Sequence, residues 1–261
     1  MNIQEYYKKS AMISLNASLA SLFPPFLFIL YGIIIAPNIS FVLVIIPFLL
    51  YSLICYHYYL LNDQRSKEIS ILQNQLDNGL LLDKDQVILT FLPSPTLRMQ
   101  IFDINGKLLG EIRDMQFWKF RWFLPYFLDR FFEKRYGFYD ETNQLLRCFT
   151  LKKKQIEITD ANSNVLTTIF CEPTNKSFTF TYDNESNTII VKRSFQFMDI
   201  RFFHTNLTPI GRLRKGWMPL EWGNRFKDPN MPVLTFGQSI LAEDKLLMYA
   251  IITKLFQSSN H

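Results

Sequence analysis

The chain has 261 residues and a formal net charge of +5, and 48% of its residues are hydrophobic. This length suits one folded domain with an anchor, while the mild charge and the lack of a base-reading helix exclude a nucleic-acid-binding protein. Three cysteines without framework spacing exclude a disulfide-stapled fold and fit a reducing compartment.

The first quarter of the chain predicts a membrane hairpin. Residues Ser10 to Asn62 include no Asp, Glu, Lys or Arg, and Ala36-Pro37-Asn38 interrupts them near the middle. Because about 20 apolar helical residues cross a bilayer, we predict a hairpin over 1–62 with spans at about 13–35 and 41–61. The competing interpretation is a cleaved signal peptide. It is disfavoured by Pro24-Pro25 and by the lack of a small-residue cleavage site.

The charges that flank the hairpin predict its orientation. Lys8 and Lys9 precede it, Arg65 and Lys67 follow it, and the turn carries no charge. Positive residues stay on the cytoplasmic side of a membrane. We therefore predict a two-span protein of the cell membrane, embedded in membrane lipids, with both termini in the cytoplasm.

After the hairpin, residues 63–85 predict an amphipathic stalk, because apolar residues recur there at helical spacing among charged ones. From Gln86 onward, short runs of Val, Ile, Thr, Phe and Tyr pair across turns rich in Asp and Asn, as in the hairpin from Met99 to Ile112. Five such hairpins predict a meandering antiparallel sheet of roughly ten to twelve strands that closes on itself.

The last segment, 240–256, predicts a helix that Ser239 caps and that is apolar on every face between Lys245 and Lys254. Its uninterrupted apolar run is too short to cross a membrane. We expect it to fill the lumen of the barrel, which covers 86–261. The side chains predicted to lie at the centre are Leu246, Leu247, Met248, Ala250, Ile251 and Ile252.

This arrangement resembles the tubby-like superfamily, which includes tubby C-terminal domains, LURP-one-related proteins and phospholipid scramblases. The likeness covers roughly 86–256 and rests on the hairpin rhythm and the final Leu234-Thr-Phe-Gly and Asp244-Lys-Leu-Leu-Met-Tyr-Ala-Ile-Ile sequences. It implies a membrane-anchored α+β fold, with a hairpin followed by a helix-threaded barrel, and a general association with lipids. It implies no functional residue, because the acidic calcium segment expected before the last helix is absent.

Residues 117–135 interrupt the hairpins with a dense aromatic and basic segment. After Pro125, apolar and aromatic residues share one helical face and charged residues share the other, which is typical of a helix in the headgroup zone. The alternative is a helix that caps the barrel or docks on the anchor. The candidate membrane-interface residues are Trp118, Lys119, Arg121, Trp122, Phe123, Phe127, Arg130, Phe131, Lys134 and Arg135.

Three further basic clusters lie along the strands, at Lys152 to Lys154, at Lys192-Arg193, and at Arg212 with Arg214-Lys215. Each near cation contributes about 1 kcal/mol on an anionic membrane. The other interpretation is an ordinary solvated strand edge, which is the more common role of such clusters.

No catalytic motif, phosphate loop or metal-ligand spacing occurs in the sequence, so we predict neither an enzyme, a metal site nor a cofactor. The leading hypothesis is a non-enzymatic, membrane-tethered barrel that binds lipid headgroups or a membrane partner at the inner leaflet. A second is an interaction or sensing module that docks on another membrane protein. A third is a phospholipid scramblase.

Overall fold

The computed structural model describes residues 1–34, 40–69, 81–116, 134–174, 177–182, 187–194, 198–238 and 240–259. The chain divides into a helical unit from Asn2 to Ile71 and a barrel unit from Leu72 to His261.

The helical unit contains α1 (Ile3–Ser21), α2 (Phe23–Ile34) and α3 (Ser40–Glu68). The first helix begins well before the predicted span, because the Asn2 side chain caps it by accepting the Glu5 N–H at 2.9 Å. It ends just before Pro24-Pro25, whose missing N–H groups suit a first helical turn and not a helix interior. Two stretches, Ile3–Leu30 and Leu43–Glu68, are long and apolar enough to cross a membrane.

Small residues hold α1 against α3. The hydroxyls of Ser18 and Ser52 lie 3.0 Å apart, and Ser52 also donates to the Ser18 carbonyl at 3.1 Å. Both side chains are buried, whereas most large apolar residues of these helices are exposed. Membrane helices typically pack by close approach at small residues. Large apolar side chains gain little from burial between the helices, because lipid tails are equally apolar.

The barrel unit is a closed antiparallel barrel of twelve strands, which confirms the predicted fold class. Each strand pairs with its neighbours in sequence, and β1 closes the sheet by pairing with β12. The strands are β1 (Gln86–Phe91), β2 (Arg98–Phe102), β3 (Leu108–Asp114), β4 (Lys134–Asp140), β5 (Leu145–Leu151), β6 (Gln155–Thr159), β7 (Val165–Thr174), β8 (Ser177–Tyr182), β9 (Asn187–Arg193), β10 (Asp199–His204), β11 (Pro209–Arg214) and β12 (Val233–Phe236). Of the predicted stalk, the structure describes the end of α3 and a 3₁₀ turn at Leu81–Asp83, while 70–80 lies outside the described residues.

One turn design recurs at several hairpins. Asp103, Asp140 and Asp160 each accept backbone N–H groups from the residues two and four positions later. The residue three positions after each of them has a left-handed backbone, with φ of 82° at Gly106 and 66° at Asn143. The register of each pair shifts beside the turn, as a bulge requires. The Asp and Asn side chains that predicted these turns therefore shape them directly.

A final helix, α4 (Ala242–Ser259), fills the lumen. It begins two residues after the predicted start, and Ser239 lies outside the described residues. Five of the six predicted central residues are buried, and Leu246 is half-buried against the core. The ring of Tyr249 lies 5.3 Å from that of Phe138, measured between centroids, so the helix contacts the strands through aromatic packing as well as aliphatic packing.

Gly211 on β11 lies directly against Met248 of the helix. A Cβ at this position would lie 2.2 Å from Met248 Cε and 3.2 Å from the Thr235 carbonyl oxygen. Glycine therefore leaves the space that the Met248 side chain occupies. A barrel interior this densely packed tolerates an added methyl group poorly.

We predict that Gly211→Ala lowers the free energy of unfolding by about 1–3 kcal/mol through overpacking. The loss is smaller in a Met248→Ala background, because the truncated side chain no longer meets the new methyl group. Gly223→Ala is the control, since a Cβ there would contact nothing within 4 Å. Thermal unfolding of the four variants measures the coupling. Equal losses in both backgrounds would contradict this packing.

Candidate functional site

Because α4 occupies the lumen, exposed chemistry lies on the outer wall and the two ends of the barrel. In an up-and-down barrel, connections that follow odd-numbered strands lie at one end and those that follow even-numbered strands lie at the other. We call the first the basic end and the second the acidic end, for the charges described below.

The acidic end contains the Asp turns and the start of α4. Its carboxylates are Asp83, Asp85, Asp103, Asp140, Glu141, Asp160, Glu243 and Asp244. Its described lysines are Lys84, Lys107 and the buried Lys245, which donates to the Lys84 carbonyl at 2.9 Å. Lys107 pairs with Glu141 at 2.7 Å. Hydrogen bonds from Asn164 help to hold the pKa of Asp160 below its usual value. Within the described residues, no group of three or more His, Cys, Asp or Glu could hold a metal ion.

The basic end brings together all three basic clusters of the sequence. Lys152 to Lys154 form the exposed β5–β6 turn, and Lys152 pairs with Glu157. Arg193 ends β9, and Lys215 follows β11, where its N–H donates to the Met198 carbonyl at 3.0 Å. The chain then runs along the wall, and Arg225 donates to the Ile104 carbonyl of the opposite end at 3.2 Å.

A cationic row crosses the outer wall beside this end. Lys192 on β9 is the register partner of Arg201 on β10, and Arg201 is the partner of Arg212 on β11. Direct cross-strand partners lie side by side on one face of a sheet. The sequence singled out the first and last of these residues but missed Arg201, whose place depends on the pairing of three strands.

Asp199 organises part of this row. Its carboxylate accepts two hydrogen bonds from Arg212, at 2.8 and 2.7 Å, and also accepts from Arg201 at 3.2 Å. The bond to Arg212 is the main cause that holds the pKa of Asp199 below its usual value. One carboxylate thus fixes two guanidinium groups and neutralises one charge, while the neighbouring cations keep the surface positive.

The turn of Lys152 to Lys154 is fixed from inside the barrel. Lys254 of α4 donates to the carbonyls of Lys152 and Lys153, at 2.7 and 3.3 Å, and to that of Gln155 at 3.4 Å. Burial lowers the pKa of Lys254. The helix that fills the lumen therefore also holds in place the turn that presents three exposed lysines.

The predicted interface segment is described only at its end. Residues 117–133, and with them every candidate from Trp118 to Phe131, lie outside the described residues. Lys134 and Arg135 are the first residues of β4 and are half-buried, and the Met115 N–H donates to the Arg135 carbonyl at 2.9 Å. The chain therefore leaves the described structure at Gln116 and returns at Lys134, in both cases at the basic end.

No protein-family model matches this chain, and no curated protein matches it significantly. Among solved structures, the chain is similar to the X-ray structure of a protein from Arabidopsis thaliana, with 11% sequence identity and a TM-score of 0.45. The similarity covers 67% of this chain and 92% of the plant protein. The strand pairing of this chain by itself defines the closed barrel.

We predict that Asp199→Asn lowers the free energy of unfolding by about 1 kcal/mol or less at neutral pH, the usual range for partly exposed ion pairs. Because the folded pKa of Asp199 is lowered, its stabilisation is present above the ordinary Asp pKa of about 3.9 and is lost as pH falls through the folded pKa. Melting temperatures of both proteins across acidic pH should therefore converge. A constant difference down to the lowest pH would contradict this.

Proposed function

We propose that this protein is a non-enzymatic, membrane-tethered barrel that binds anionic lipid headgroups at the cytoplasmic leaflet of the cell membrane. The observation that carries the proposal is the separation of charge between the two ends of the barrel. At one end, cations from β5, β9, β10 and β11 outnumber the carboxylates of Asp114 and Asp199. At the other end, the carboxylates of the Asp turns outnumber Lys84, Lys107 and Lys245. Such a body orients in the field of an anionic surface.

The helical unit supports the tether. Its two long apolar stretches expose most of their large side chains, such as Leu43 at 70% and Leu53 at 64%. Contiguous exposed apolar surface on this scale is unusual for a soluble monomer and is typical of segments covered by lipid. Lys8, Lys9, Arg65 and Lys67 then favour cytoplasmic termini.

We also propose that this chain is a member of the tubby-like superfamily. The assignment is supported by the closed twelve-stranded barrel and by the apolar helix that fills it. From the superfamily we take only a general association with lipids. The cations named here come from this chain alone.

We predict that lysine acylation of the full-length protein in nanodiscs identifies which end of the barrel contacts the membrane. Adding phosphatidylserine to phosphatidylcholine discs should protect Lys153, Lys154 and Lys215, while Lys84 and Lys107 at the acidic end keep their reactivity. High salt should reverse the protection, because exposed charges are screened within about 10 Å at 0.1 M. Mass spectrometry measures each site. Equal reactivity at both ends would contradict the proposal and favour a protein partner.

A charge-reversal pair sharpens this test. Lys153→Glu with Lys154→Glu should weaken docking by at least about 2 kcal/mol, roughly a 30-fold change in the docked equilibrium. Lys107→Glu at the acidic end is the matched control and should leave docking unchanged.

We also predict the side of the membrane on which the barrel lies. A cysteine introduced by Lys153→Cys should react with an impermeant thiol reagent only after cells are permeabilised. Asn38→Cys, in the predicted outer turn, should react in intact cells. The native Cys148 is buried and contributes little to labelling of the folded barrel. Labelling of Lys153→Cys in intact cells would overturn the topology.

A further inference from the structure

Two large apolar side chains are exposed in the connection that follows β11, and the first of them lies beside Arg214. Trp217 is 60% exposed and Leu220 is 97% exposed, and no other large apolar residue in the described part of the chain is as exposed as Leu220. We call residues 215–220 the Trp217 loop. Single exposed apolar residues are common on proteins, but a pair that adjoins a cationic surface has a chemical meaning.

The Trp217 loop is held at both ends. The Lys215 N–H bonds to Met198 at its start, and Gly216 makes the turn with a φ of 75°. A 3₁₀ turn, Leu220–Asn224, follows, and the Phe226 N–H donates to the Trp222 carbonyl at 2.8 Å. Phe226 itself is 1% exposed and so anchors the far side. Trp217 and Leu220 therefore project from a segment that is held at both ends by hydrogen bonds and by the buried ring of Phe226.

The charges around the loop identify what it meets. The Arg214 guanidinium carbon lies 5.8 Å from the centre of the Trp217 ring, and Lys215 is exposed beside it. Tryptophan is enriched where membrane meets water, because its ring is apolar and its N–H is polar. Arg214, Lys215 and Trp217 together complement a surface that is negatively charged on the outside and apolar just beneath. An anionic lipid bilayer has that structure.

We propose that Trp217 and Leu220 insert into the headgroup zone of an anionic bilayer and fix the orientation of the docked barrel. This inference rests on the proposed function, since the cations of the basic end bring the loop to the surface. Insertion of two apolar side chains adds short-range attraction to the long-range electrostatic one. Electrostatic attraction then brings the barrel to the anionic membrane. Insertion of the Trp217 loop determines which part of the basic end enters the headgroup zone.

The acidic end supplies the matched comparison. Val165 is 61% exposed and directly follows the turn that contains Asp160. Val165 alone exposes less apolar surface than the Trp217 loop, but Leu207 and Leu241 at the same end are 59% and 68% exposed. The carboxylates of this end are repelled by anionic lipid. Exposure alone therefore predicts insertion at both places, whereas exposure combined with charge predicts it only at the Trp217 loop.

The test uses the full-length protein in nanodiscs, with its native cysteines replaced by Ala and an environment-sensitive fluorophore at Leu220→Cys or at Val165→Cys. Brominated lipids quench a fluorophore that lies among acyl chains. In discs with phosphatidylserine we expect quenching and a blue shift at position 220 and neither at position 165. A cooperative thermal transition close to that of the parent protein confirms that each labelled variant is folded.

A second arm measures what insertion contributes. In the otherwise native chain, Trp217→Ser with Leu220→Ser should reduce phosphatidylserine-dependent lysine protection about tenfold or more in the docked equilibrium. Val165→Ser should leave it unchanged.

The outcomes separate this inference from the proposed function. Lysine protection at the basic end without quenching at position 220 would overturn insertion and leave headgroup binding standing. Absence of both signals would overturn the proposed function itself. Equal quenching at positions 220 and 165 would show that exposure alone causes insertion and would also overturn the inference.

Discussion

The barrel depends on the helix that fills it. Twelve strands enclose more space than inward-facing side chains can fill, so an empty lumen would leave their apolar inner face unsatisfied. Leu247, Met248, Ile251 and Ile252 occupy that space, and Gly211 allows the wall to approach Met248 closely. The same helix reaches the basic end through Lys254, whose ammonium group holds the carbonyls of the lysine turn. The same helix, α4, thus packs the core and also positions the surface cluster of Lys152 to Lys154.

Turn chemistry creates the second organising feature, the separation of charge. The hairpins that follow β2, β4 and β6 each use an Asp whose side chain accepts two backbone N–H groups, so carboxylates collect at one end as a by-product of turn formation. The described residues of the opposite end include the cations Lys152 to Lys154, Arg193 and Lys215, although Asp114 also accepts a backbone N–H there. Because the sheet is a simple meander, alternate turns fall at the same end of the barrel. The residues that form these turns therefore give the two ends different charge. This polarity supports the proposed orientation toward an anionic leaflet.

The parts that could be predicted are those with local causes. Asp103 and Asp140 indicate turns through their own side chains, and a helix apolar on every face indicates burial whatever surrounds it. The break of the first helix at Leu22 was missed, although Pro24-Pro25 supplied its signal. Arg201 and the exposure of Trp217 were also missed, because they depend on strand register and on how a long connection is anchored. Gly-Trp-Met-Pro-Leu directly after Arg214-Lys215 was the available hint for the Trp217 loop.

The central claim is that the barrel meets the membrane with its basic end. The most direct measurement is nuclear magnetic resonance of the full-length protein in phosphatidylserine-containing nanodiscs doped with a lipid whose headgroup carries a nitroxide. The account predicts selective broadening of amide signals from 152–154 and 215–220, with sharp signals retained in the turns 103–107, 141–144 and 160–164. Broadening confined to the Asp turns, or spread evenly over both ends, would contradict it.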